Sequence, residues 1–357
     1  MNEEPVVTSK AWLASIMVDL FRSVHNQEQD NFDSFRYPEA HRNAFFYDAH
    51  ARFLGYLNEH LDSFHASRAL LEDQPSRDLF DKLILYRLLG HLHVRLPFNN
   101  PETIQRMQVP DEWKIDDTGD MGMFGPLSIF SVPHKGSNIW MKGWTSNVAA
   151  AFLSEQYYFD RAGIRIAPAL DDHVIDGGGC FGDTALAFAN EVGPSGMIYT
   201  FDPIPKHCEI MREAFQMNPR LASHIKIFDV GLAKENHAGK AAQVDERSIN
   251  PGARLDDGLP TRTIDDLVGA QELDRIDFIK MDIEGSELGA LQGGEKSLRR
   301  WRPKLAISLY HRPEDFFAIP LWLDSLDCGY RYYLDHYSIH NEETVLYAIS
   351  SASYKSP

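Results

Sequence analysis

Apolar positions along this chain follow two regimes. From residue 1 to about 94 they recur at helical spacing. Trp12, Leu13, Ile16, Met17 and Leu20 share one face, and so do Phe53, Leu54, Leu57 and Leu61. A third helix is expected to start with Ser76 as its N-cap. It turns Leu79, Phe80, Leu83, Ile84 and Leu88 inward and stops at Gly90. Between 96 and about 140, prolines and glycines interrupt the pattern, which predicts loops and short strands, among them 129–132 and 138–141. From residue 173 the pattern changes. Short, nearly continuous apolar runs at 173–176, 197–202, 225–230, 276–283 and 305–310 alternate with helical stretches near 183–191, 205–217, 263–268, 286–293 and 316–326. Two closing runs, 330–334 and 345–349, have no helix between them. Such alternation predicts an α/β fold with a parallel sheet covered on both faces, closed by an antiparallel pair. The chain divides into a mainly helical or mixed first domain, 1–140, and an α/β domain, 141–357.

Composition narrows the function classes. The 357 residues carry 35 basic and 52 acidic side chains, a net charge of −17. A nucleic-acid binder needs a basic footprint to displace counterions, so this balance disfavours that partner. No apolar run approaches a membrane span. The three cysteines, Cys180, Cys208 and Cys328, are too scattered for a disulfide framework or a zinc cluster. A reduced, cytoplasmic protein is expected.

The candidate chemistry starts at Val174-Ile175-Asp176-Gly177-Gly178-Gly179-Cys180-Phe181-Gly182-Asp183, a buried strand, a tight turn and a helix start. Gly177, Gly179 and Gly182 satisfy G-x-G-x-x-G, with Asp202 about twenty residues on, as in a dinucleotide site. Asp176 argues otherwise: an acid just before the glycines would repel a pyrophosphate. A ligand with a sulfonium, an ammonium and no phosphate, S-adenosylmethionine (SAM), suits it better. Acids recur at consecutive strand ends: Asp176, Asp202, Asp229, and Asp282 with Glu284. In an open α/β sheet the ligand lies past those ends. On this reading the backbone N–H groups of Gly177, Gly178 and Gly179 approach the methionyl and ribose part, and Asp176 meets the ammonium. Asp202 accepts the ribose hydroxyls, and Asp229 with the Val230 backbone meets the adenine edge. Asp183 and Thr184 either contact the cofactor or cap the helix.

The stretches 174–189 (VIDGGGCFGDTALAFA), 199–203 (YTFDP), 263–267 (TIDDL) and 278–294 (FIKMDIEGSELGALQGG), with 308–315 (SLYHRPED) and 343–348 (ETVLYA), resemble the FkbM-like methyltransferases. The resemblance implies a Rossmann-like SAM-methyltransferase sheet over roughly 150–350, with an antiparallel last strand. It also implies O-methylation of a sugar or natural-product-like small molecule, and places Asp282 and Glu284 in the reaction pocket. Asp202 departs from the glutamate usual in the family.

His311, after the fifth apolar run, is the expected general base for an alcohol acceptor. A divalent ion held by Asp282, Glu284 and His311 is an alternative, but no ligand spacing marks it, so no metal is expected. Other readings stay open: N-methylation of an amide or amine, a peptide acceptor, a nicotinamide-dependent oxidoreductase using the glycine turn, and a SAM-fold module that binds without turnover. The first domain is expected to restrict the pocket, select substrate or form a homodimer.

Overall fold

The computed structural model describes residues 8–23, 31, 47–122, 125–239 and 258–351. In chain order the strands are β1 (Lys114–Gly122), β2 (Gly125–His134), β3 (Ser137–Gly143), β4 (Phe159–Arg161), β5 (Ile164–Ile166), β6 (His173–Gly177), β7 (Met197–Phe201), β8 (Ile225–Phe228), β9 (Gly231–Leu232), β10 (His237–Ala238), β11 (Pro260–Arg262), β12 (Phe278–Met281), β13 (Lys304–Ser308), β14 (Tyr330–His336) and β15 (Thr344–Ser350). The main sheet has the order β14-β15-β13-β12-β6-β7-β8. Strands β13, β12, β6, β7 and β8 are parallel, and β15 runs antiparallel to both β13 and β14. The closing pair is therefore antiparallel as expected, with the last strand inserted inside the edge. Strand order reverses between β6 and β12, the kind of switch point at whose C-terminal strand ends open α/β sheets place their ligands.

The central strands read as unbroken apolar runs because both faces are covered. All four residues of β12 are buried, and helices Asp183–Val192, Pro205–Met217, Ile264–Gly269, Glu287–Gln292, Glu295–Trp301 and Asp315–Ser325 flank the sheet. Helix Glu295–Trp301, which the apolar pattern does not mark, follows directly on Gly293 and Gly294. Apolar residues on both sides of residue 140 share the two large cores. Phe80, Leu83 and Ile84 pack with Phe316, Leu323 and Tyr332, while Val132, Ile139 and Met141 pack with Phe188, Val192 and Ala214.

Helix Gln74–Leu89 starts one turn earlier than the sequence suggests. Asp73 is its N-cap, accepting from the Ser76 N–H at 2.9 Å. Ser76 is instead buried, and its hydroxyl accepts from the Leu334 N–H at 2.9 Å. Arg161 ties this corner together, pairing with Asp73 and Asp335 at 3.1 Å each. The prolines and glycines before 143 produce a three-stranded antiparallel sheet, β1-β2-β3. The polar stretch from Lys234 to Pro260 lies mostly outside the described residues, at 240–257. Among the described residues no helix is long and apolar enough to cross a membrane.

Candidate active site

The glycine turn follows β6 and is crowded by its own chain. Gly178 has φ +78°, and a Cβ there would lie 1.9 Å from the Asp282 carbonyl oxygen. A Cβ on Gly179 would lie 2.1 Å from Thr200 Oγ1. Glycine is thus required by packing of the protein on itself as well as by backbone conformation. The N–H groups of Gly178 and Gly179 both donate to the Phe201 carbonyl, at 2.9 and 3.0 Å. The carbonyls of Gly177 and Gly178 accept from Lys280 Nζ at 3.0 and 2.7 Å. This corrects the expectation that the Gly178 and Gly179 N–H groups meet the cofactor.

Asp176 needs a second correction. Its side chain is fully buried and holds the turn from below. Thr184 Oγ1 and Thr200 Oγ1 donate to it at 3.0 Å, and Lys280 Nζ lies 3.2 Å away. Neither Asp176 nor Thr184 is left to meet an ammonium; a buried carboxylate must be paired, and this one is. Burial lowers the affinity of Lys280 for its proton, but Asp176 and then Asp282 outweigh it and the pKa rises. Lys280 was not singled out from the sequence, although a lysine inside the apolar run Phe278-Ile279-Lys280-Met281 was itself the signal. Asp183 opens helix Asp183–Val192 and is also buried; burial pushes its carboxyl up to about 6, against the pull of Lys280.

Asp202 lies just past β7, and its carboxylate accepts from the N–H groups of Cys180 and Ile204 at 2.9 Å each. His207 Nδ1 stands 3.2 Å away. One acid thus joins the glycine turn to the start of the next helix. Asp229 is exposed and engaged by Arg212 at 2.5 Å, and Val230 turns its side chain onto the core.

The densest polar cluster lies past β12 and β13. Tyr157 Oη donates to Asp282 Oδ2 at 2.7 Å, and Tyr310 Oη donates to Oδ1 at 2.9 Å. Both tyrosines have pKa values raised, first by burial and then by Asp282, so they remain donors. His311 is nearly buried, with Nε2 3.2 Å from Asp282 Oδ1 and Nδ1 2.9 Å from Glu287 Oε1. Burial alone would lower its pKa; Glu287 and Asp282 outweigh burial and push it up to about 12. Both ring nitrogens of His311 face a carboxylate, so the imidazole is set against Asp282 and Glu287 and not toward an acceptor hydroxyl, unlike the base role expected for it. Asp282 is held as a carboxylate, far below its ordinary value; burial opposes this, and His311, Lys280 and Tyr157 prevail.

Glu284 stands at the edge of the cluster, 3.7 Å from His311 Nε2 and half exposed. Burial raises its pKa, with Asp282 and Glu287 adding to the rise against His311. Glu287, in the first turn of helix Glu287–Gln292, is wholly buried and accepts from the Ile283 N–H at 2.8 Å. The Tyr157, Tyr310 and Glu287 contacts were not legible, because each joins elements distant in sequence or hidden by a turn. His336 is buried against Thr344 Oγ1 at 2.9 Å.

Residues 176–332 match the family model described as the methyltransferase FkbM domain. The crystal structure of methyltransferase FkbM from Methylobacillus flagellatus is similar, at 19% identity and a TM-score of 0.53. That likeness covers 82% of this chain and 60% of that one, so the chain spans about three fifths of its length. A fibrillarin from Aeropyrum pernix with bound SAM is 12% identical, covering 66% of this chain and 99% of its own, with a TM-score of 0.35. A SAM-dependent O-methyltransferase from Thermotoga maritima is 10% identical, covering 63% and 78%, also at 0.35. No protein with a curated description matches the chain. The resemblance read from the sequence therefore holds over 176–332, and the fold is Rossmann-like with the strand order given above.

Proposed function

We propose that this protein is a SAM-dependent methyltransferase that methylates a hydroxyl of a small-molecule or peptide acceptor. The observation that carries the reading is the set of acids past the ends of neighbouring strands. Asp202, Asp282 and Glu284 stand there, and the Gly178 and Gly179 N–H groups bond inside the protein. A cationic nucleoside without phosphates suits such a set of acids better than a dinucleotide does. The FkbM domain match over 176–332 supports the same class.

Asp202 is the residue placed to hold the ribose. A carboxylate offers about four acceptor positions, so two backbone N–H groups and His207 leave room for a hydroxyl. Bound there, the sulfonium supplies an electrophilic methyl group and a neutral leaving group. The remaining chemistry is alignment and one proton. Asp282 is fixed by two phenols and His311, so its part is to orient and to hold negative charge beside the reacting atoms. Glu284 is the group that takes the hydroxyl proton, because it is half exposed and its pKa is raised toward that task.

The test is incubation with SAM and panels of hydroxyl, amine and amide acceptors, read by mass spectrometry. Addition of a single methyl to a hydroxyl is the expected result. Turnover confined to amines or amides would replace O- by N-methylation, and SAM binding without turnover on any panel would leave a binding module.

A further inference from the structure

We propose that Asp282, Glu287 and His311 bind a divalent cation. One donor atom from each residue lies within 4.8 Å of the other two. The residue that completes the set is Glu287, where the sequence had pointed to Glu284.

The hydrogen-bond geometry supports a cation independently of the distances. Both ring nitrogens of His311 have a carboxylate oxygen beside them, at 2.9 and 3.2 Å, yet neither makes a hydrogen bond among the described residues. The oxygens sit off the N–H direction. An oxygen and an imidazole nitrogen each about 2 Å from one ion lie roughly 3 Å apart, beside the N–metal axis; one ion would engage one ring nitrogen of His311 and leave the other beside its carboxylate. The side chain of His311 is 4% exposed, so bulk solvent does not take the place of the missing bonds. Glu287 Oε2 is likewise buried and without a hydrogen-bond partner. Such orphaned groups in a buried cluster call for a missing partner.

Charge points the same way. Asp282, Glu284, Glu287 and Asp315 share this corner with His311, Lys280 and Arg312, and Lys280 is already committed to Asp176. One imidazole with two carboxylates suits Mn2+ or Zn2+ better than Ca2+, which prefers an all-oxygen shell, and the cation would replace the proton that the two carboxylates otherwise favour on His311. A cation there would sit beside Glu284 at the rim. Its role rests on the methyl-transfer reading: it would bind the acceptor oxygen and lower its pKa before Glu284 takes the proton. Cation binding itself does not depend on that reading.

The experiment titrates the full chain with Mn2+ alone, following the loss of the free-ion electron paramagnetic resonance signal. Binding of S-adenosylhomocysteine is measured separately on the same samples. The expected result is saturable binding of a single Mn2+ per chain, weakened about tenfold or more by Glu287→Gln and by His311→Asn. Glu284→Gln should retain the affinity within about threefold, as a residue outside the ligand set. If both buried variants fail to fold, the wild-type melting temperature decides, and a saturable rise with Mn2+ is expected. Absence of saturable Mn2+ binding by folded wild type would overturn the proposal, even where S-adenosylhomocysteine binds. Equal Mn2+ affinity in wild type and folded Glu287→Gln would overturn it too.

Discussion

The glycine turn at 177–182 and the cluster around Asp282 occupy the ends of neighbouring strands, β6 and β12, and they are built in opposite ways. In the turn, the N–H groups of Gly178 and Gly179, the carbonyls of Gly177 and Gly178, and the Asp176 carboxylate all find partners inside the chain. In the cluster, both His311 nitrogens and Glu287 Oε2 lack hydrogen bonds among the described residues, and acids crowd together. The comparison separates two jobs that a motif blends. The glycine turn shapes the crevice, while the residues after β12 keep unspent chemistry for a ligand.

Substitutions in the two regions should therefore fail differently. The largest effect is expected from Lys280→Met. It leaves the Asp176 carboxylate buried with only hydroxyl donors, which costs about 3–5 kcal/mol. Chemical denaturation measures this; a loss below about 1 kcal/mol would mean that the pair does not hold the turn.

Asp183→Asn should act in the other direction and depend on pH. The folded pKa of about 6 lies above the ordinary 3.8, so ionisation destabilises the fold. The penalty is absent below about pH 4, grows between about 4 and 6, and is complete above that range. The variant should match wild type at pH 4 and exceed it by up to about 3 kcal/mol at pH 8. A stability difference that does not change with pH would contradict the buried-acid account.

Glu284→Gln should have the smallest effect on stability, within about 0.5 kcal/mol, because the side chain is half exposed. Turnover should nevertheless fall by about two orders of magnitude or more, the usual worth of a positioned base. Parallel melting curves and rate measurements test the split. Unchanged turnover would remove Glu284 from the proton's path.

The sheet was largely legible because strands buried on both faces leave continuous apolar runs, and β6, β7 and β12 begin and end within about two residues of those runs. The rim acids were legible for a related reason: Asp202 and Asp282 interrupt the apolar pattern where each strand ends. Their partners were hidden. Lys280 reaches Asp176 across two strands, and Tyr157 reaches Asp282 from before the sheet begins. The role of His311 was misread because its setting depends on Glu287, four residues beyond Ile283 on the far side of a turn. Ser76 was mistaken for a cap because a buried hydroxyl and a capping hydroxyl look alike in sequence.

The most direct test of the account is calorimetry of S-adenosylhomocysteine and of NAD against wild type and Asp202→Ala. Saturable binding of S-adenosylhomocysteine by wild type, at least about tenfold weaker in a folded Asp202→Ala and with no binding of NAD, is the predicted result. Binding of NAD in preference to S-adenosylhomocysteine, or equal S-adenosylhomocysteine affinity in both proteins, would contradict it.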